Sequence, residues 1–124
     1  MVEVPDEKIP EKENAKIDAE IKEKEGMAIL KQIPKDSFVI SLDLRGKSYS
    51  SEEFASQIES IAFSKSHITF IIGGSLGLWE NVIKQAACSI CFSKMTFPHQ
   101  LMRVILLEQI YRAFKIIHHE SYHK

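Results

Sequence analysis

At 124 residues, with 44% apolar and 27% charged side chains, the chain has the length and composition of one globular domain, and residues 1–124 are expected to form a single unit. A formal net charge of −1 and only two cysteines exclude a strongly basic nucleic-acid module and a secreted disulfide scaffold. No apolar run approaches the roughly 20 residues a bilayer-spanning helix needs, and no basic-then-apolar signal segment opens the chain, so a cytoplasmic location without membrane contact is expected.

The charge is unevenly spread. Residues 1–66 carry 10 Lys/Arg against 14 Asp/Glu, net −4, and residues 67–124 carry 6 against 3, net +3, together with all five histidines. An anionic partner would meet the C-terminal half, although +3 alone is a weak attraction.

In chain order, Val2-Glu3-Val4 reads as the tail of a strand stopped by Pro5. Residues 6–25 contain 13 charged residues of 20, mixed in sign, and predict a solvated helix. From Gly26 the pattern turns apolar through Met27, Ile29, Leu30 and Ile33, so this end of the helix is expected to dock on the core before Pro34 stops it. Residues 38–44 alternate, with Phe38, Ile40, Leu42 and Leu44 on one face, and predict a strand. Ser50 and Glu53 then have the spacing of a capping box, ahead of Phe54, Ile58 and Ile61 at helical intervals. Residues 68–72 are apolar on both faces, as a strand covered on both sides would be. A glycine turn, Gly73-Gly74-Ser75-Leu76-Gly77, leads to a helix over about residues 78–87 and a strand over 88–92.

The last helix is the most distinctive. Thr96 or Phe97 is expected at its cap and Pro98 at its first position, where a missing N–H costs nothing. From Gln100 to Ile117, 12 of 18 residues are apolar and they spread around the helix, so burial on two sides is expected, by the sheet and by a second subunit. Strand and helix alternate throughout, which predicts an α/β fold: a parallel sheet with helices on both faces.

In such sheets ligands sit beyond the carboxyl ends of the strands. Three ends are chemically distinctive: residues 42–46, the glycine turn, and residues 92–97. The glycine turn fits neither the dinucleotide nor the Walker pattern and reads equally well as a structural turn. Cys88 and Cys91 have C-x-x-C spacing, but a strand would point residues three apart to opposite faces, which predicts core thiols. His118, His119 and His123 lack an ordered carboxylate partner, and no metal is expected. Glu108 and Arg112, four apart, predict an intrahelical ion pair, whereas Arg103 lies one turn beyond the 92–97 loop, well placed for an anionic group.

Val4-Pro5-Asp6-Glu7-Lys8, Lys24-Glu25-Gly26, Leu42 followed by Gly46-Lys47, Gly73-Gly74-Ser75 with Gly77, the run from Phe92 to Phe114 and the Tyr122-His123 tail together resemble the ribosomal RNA large-subunit methyltransferase H family of the SPOUT superfamily. The resemblance covers essentially the whole chain. It implies an α/β SPOUT fold whose C-terminal part forms a trefoil knot, a homodimer, and S-adenosylmethionine (S-adenosyl-L-methionine) as methyl donor. It implies a donor pocket lined by Leu42, Gly73, Phe92, Ser93, Lys94, Met95, Thr96 and Phe97. The implied reaction methylates N3 of a pseudouridine in helix 69 of 23S rRNA, on the assembled 70S ribosome. His99, Arg103, Tyr122 and His123 become the candidates for positioning the substrate or handling its proton, with no base assigned among them.

Family members open with a further strand and helix, roughly 30–40 residues, the size of a strand-helix-strand unit, so the resemblance also implies N-terminal truncation. Two competing readings follow: a truncated, inactive dimer that retains cofactor or ribosome binding, and an unrelated redox or nucleotide-binding α/β domain. Reactivity of Cys88 or Cys91, or binding of ATP, would mark the latter.

Overall fold

A computed structural model of the protein describes Glu3, residues 15–74 and residues 76–123. The expected strand tail around Val2 and Val4 and the first part of the charged helix lie outside the described residues. The elements run α1 (Ala15–Gln32), β1 (Phe38–Ser48), α2 (Ser51–Ala62), β2 (Ile68–Ile72), α3 (Glu80–Gln85), β3 (Cys88–Cys91) and α4 (His99–Ile117). Among the described residues the sheet has three parallel strands in the order β2-β1-β3.

Alternation along β1 assigns its two faces. Ile40 is fully buried and packs with Phe54, Ile58 and Ile61 of α2, Ile90 of β3 and Ala113 of α4. Its neighbour Val39 points the other way, onto Ile71, Leu78 and Val82, where Ile29, Leu30 and Ile33 of α1 complete the layer. Helices therefore cover both faces, α2 and α4 one of them, α1 and α3 the other. The apolar second half of α1 docks as its composition requires. Its backbone passes so close to Trp79 that a Cβ on Gly26 would sit 2.7 Å from the indole.

Local signals explain most boundaries. Ser50 caps α2 with both halves of the capping box in place: its side chain accepts the Glu53 N–H at 3.1 Å, and the Glu53 carboxylate accepts the Ser50 N–H at 2.9 Å. Three boundaries differ from expectation. β1 runs on to Ser48 because Leu42 and Lys47 both pair with Ile90, across an irregular stretch that glycine permits. A Cβ on Gly46 would lie 2.6 Å from the Ser89 carbonyl carbon. α3 is only six residues long, held to that length by extended backbone at Trp79 and Ala86. Pro98 is not the first residue of α4 but its cap. Its backbone is extended (ψ 142°), no side chain caps the helix there, and its carbonyl receives the Met102 N–H at 3.0 Å.

α4 has two apolar faces. Leu106 and Ala113 are buried, and Ile110, Ile116 and Ile117 pack on the cluster around Ile40. On the outer side Leu101, Val104, Leu107, Tyr111 and Phe114 recur at intervals of three and four and are each 47–62% exposed.

Candidate active site

Register sets Leu42 level with Ile72 on β2 and with Ile90 on β3, so the chain leaves β2 and β3 on the same side of the sheet. After β2 the glycine turn closes tightly. Gly77, at φ +84°, donates its N–H to the Gly74 carbonyl at 3.0 Å, and a Cβ on Gly73 would meet the Gly77 backbone at 2.9 Å. Glycine at 73 and 77 is thus required by the turn itself.

Gly73 and Gly74 form one wall of a cleft of about 430 Å³. Residues 68–72 of β2 line its floor, Glu25, Ile29, Gln32 and Ile33 of α1 one flank, and His99, Arg103, Leu106 and Leu107 of α4 the other. The cleft is mostly apolar, with Glu3, Glu25, Gln32, Thr69, His99 and Arg103 as its polar side chains. The Arg103 guanidinium also lies 3.8 Å from the Glu3 carboxylate.

Three of the expected site residues, Gly73, His99 and Arg103, therefore meet. The others lie apart from them. Leu42 and Phe92 are half-buried against the core, Phe92 edge-on to Phe54 at 6.1 Å between ring centroids. Phe92 also borders a smaller cavity of about 300 Å³ with Tyr49, Ser51, Ile105 and Gln109. Ser93 shapes the loop after β3: its hydroxyl accepts the Met95 N–H at 3.0 Å and its carbonyl accepts the Cys91 thiol. Lys94, Met95 and Thr96 are exposed, Phe97 is half-buried, and the loop runs into the cleft at His99.

Tyr122 and His123 stand at the far end of α4. Arg112, which they contact, is thirteen residues beyond His99, or about 20 Å along a helix. Here Arg112 grips Glu108, with Nη2 and Nε at 2.6 and 2.9 Å from Oε1. That pair holds the Glu108 carboxyl below its ordinary range and raises the guanidinium. The Tyr122 ring lies under the guanidinium at 4.9 Å, edge-on to Tyr111 at 5.0 Å. His123 bridges Arg112 (2.9 Å) and Glu52 of α2 (2.6 Å). The expected Glu108–Arg112 ion pair is present, and the tail that sequence left open is docked on its own helix.

The sulfur chemistry is that of a core. Cys88 points into the Ile40 cluster, and burial pushes its thiol up. Cys91 faces away from it and is buried. Among the described residues no group of three His, Cys, Asp or Glu side chains is placed to hold a metal, and no helix is long and apolar enough to cross a membrane. Sequence reasoning missed Glu25, Gln32 and Glu52. Glu25 ends the stretch that reads as solvated, Gln32 is a single polar residue in the half read for its apolar docking, and Glu52 is 71 residues from its partner.

The fold defines a class, a parallel α/β domain with helices on both faces of its sheet, and a mostly apolar cleft runs along β2 to the turn that follows it. The comparison with known proteins fixes the family: residues 1–123 match the family described as "Predicted SPOUT methyltransferase", and the chain belongs to that family. Its similarity to individual relatives extends over its whole length. It is 58% identical to Ribosomal RNA large subunit methyltransferase H of Clostridium botulinum (strain 657 / Type Ba4). It is 54% identical to the proteins of that name from Clostridium acetobutylicum and Alkaliphilus oremlandii. In each case all of this chain aligns with 79% of the relative.

Proposed function

We propose that this methyltransferase moves a methyl group from S-adenosylmethionine to N3 of a pseudouridine in helix 69 of 23S rRNA, acting as a homodimer on the assembled 70S ribosome. The observation that carries the reading is the correspondence of the entire chain with relatives named Ribosomal RNA large subunit methyltransferase H. The same reading includes a single domain, a trefoil knot in its C-terminal part and a cytoplasmic location.

The cleft suits such a donor. Its volume falls within the range of small-molecule sites, roughly 300–1,000 Å³. Its apolar walls, from Ile29, Ile33 and β2, match a purine face, and Glu25, Gln32 and Arg103 offer complements to an amine, hydroxyls and a carboxylate. When bound, the donor supplies a methyl group already activated on a sulfonium. The chain's residues then have three tasks: to grip the donor, to hold the target nitrogen in line with it, and to receive the N3 proton. In this reading Gly73 belongs both to the cleft and to the donor-binding loops, whose other members, Leu42 and residues 92–97, lie outside the cleft. His99 and Arg103 act from the cleft; Tyr122 and His123 act from the tail.

One chain keeps those two pairs about 20 Å apart. Two copies packed antiparallel along the outer stripe of α4 close that gap, because each helix then sets its tail end beside its partner's cleft end. The exposed stripe from Leu101 to Phe114 supports this arrangement. With one chain's net charge at −1, RNA recognition rests on the shape of the folded substrate and on the joined surfaces of a dimer. Titration with S-adenosylmethionine, followed by methylation of 70S ribosomes that lack the modification, tests the reading. Binding without transfer would favour an inactive dimer.

A further inference from the structure

The C-terminal tail carries a hydrogen-bond chain that the reaction as described does not use. His123 is wedged between α2 and α4, with Nδ1 2.9 Å from Arg112 Nη1 and Nε2 2.6 Å from Glu52 Oε1. A guanidinium has only donors. Nδ1 must therefore accept, and the single proton of the neutral ring sits on Nε2, donated to Glu52. The tautomer follows from the partners. The other polar side chains on this cluster are Glu108, bound to Arg112 on its far side, and Tyr122, whose neutral hydroxyl donates to Glu108 Oε1 at 3.4 Å.

We propose that Glu52 is a positioning residue: by accepting the Nε2 proton of His123 it locks the ring as the Nε2–H tautomer against Arg112, and so fixes the tail that presents Tyr122. In this state both ring nitrogens are engaged, so His123 is the pin of the tail and does not take the substrate's proton. The role rests on the reading of Tyr122 and His123 as substrate-side groups. It goes beyond that reading by naming a residue on α2, outside the cleft and the loops, that sets their geometry. Ionisation of Glu52 agrees with it, since the hydrogen bond from His123 holds its carboxyl below the ordinary range.

The first test needs no turnover. Ring-nitrogen NMR of the full chain at neutral pH is expected to show His123 as a single Nε2–H tautomer, and Glu52→Ala to convert it to an averaging ring with loss of the Tyr111–Tyr122 contact. Glu52→Gln, whose amide oxygen still accepts, is expected to keep most of the lock. A His123 ring that averages in the parent protein, or is unchanged in Glu52→Ala, overturns the proposal. The second test measures transfer to unmodified 70S ribosomes. Glu52→Ala is expected to slow it by about tenfold, the scale of one lost hydrogen bond to a charged group, with unchanged affinity for S-adenosylmethionine and partial rescue by Glu52→Gln. A loosened tail with undiminished transfer also overturns the positioning role. If the parent protein transfers no methyl at all, the proposed reaction fails while the NMR result still decides whether Glu52 pins the tail.

Discussion

Gly46 shows how a single side chain can decide the path of a strand. A methyl group there would lie 2.6–2.7 Å from the backbone of Ser89 and Ile90. Nothing flexible is available to yield, so Gly46→Ala must push β3 away from β1. We expect a loss of about 1–3 kcal/mol in urea unfolding, the usual cost of overfilling a packed site. The carboxylates give a second prediction. Glu52, Glu108 and Glu120 are each held below their ordinary range, chiefly by hydrogen bonds from His123, Arg112 and Lys115. A depressed folded-state pKa contributes stability that is complete above the unfolded value and is lost as pH falls through the folded one. The melting temperature should therefore decline below about pH 4, and Glu108→Gln should flatten that decline; an identical profile in the variant would dissociate Glu108 from it. Residue-level chemistry was legible where partners are close in sequence, as for Ser50 with Glu53 or Glu108 with Arg112. It was hidden at Glu52, whose partner lies 71 residues away across a fold that sequence spacing does not report.

At the scale of elements, periodicity was the reliable signal. The alternation of residues 38–44, the capped helix after Ser50 and the short apolar strand at residues 68–72 all correspond to observed elements. Ends were less legible, because tertiary contacts set them: β1 extends to Ser48 through its pairing with β3, and Pro98 turns from first residue to cap. The apolar surplus of α4 resolves into an inner face on the core and an outer face of five large exposed residues. Val104, 62% exposed, tests the outer face. Val104→Asp should leave the helix and the fold intact, since the side chain touches no core cluster, yet shift a dimer to monomer in sedimentation at micromolar concentration. A monomeric parent protein would contradict the dimer, and a variant that remains dimeric would place the subunit contact elsewhere.

For the molecule as a whole, the glycine turn after β2 and the first turn of α4 share a cleft, so Gly73, His99 and Arg103 converge although 25 residues of turn, helix, strand and loop separate Gly73 from His99. The α/β class was legible from alternation alone. The division of the candidate residues into two groups at opposite ends of α4 was not, because it depends on where the tail docks after the helix ends. Under the proposed function, that division makes the dimer part of the chemistry, with the RNA taken between one chain's cleft and its partner's tail. Family membership and the full-length relatives point to methyl transfer onto large-subunit rRNA. The most direct measurement is incubation of the purified protein with labelled S-adenosylmethionine and 70S ribosomes lacking the helix 69 modification, with the modified nucleotide mapped afterwards. The account predicts one methyl group per ribosome, at N3 of a pseudouridine in helix 69. Label on another nucleotide, or none from a protein that is dimeric and binds the donor, would contradict it.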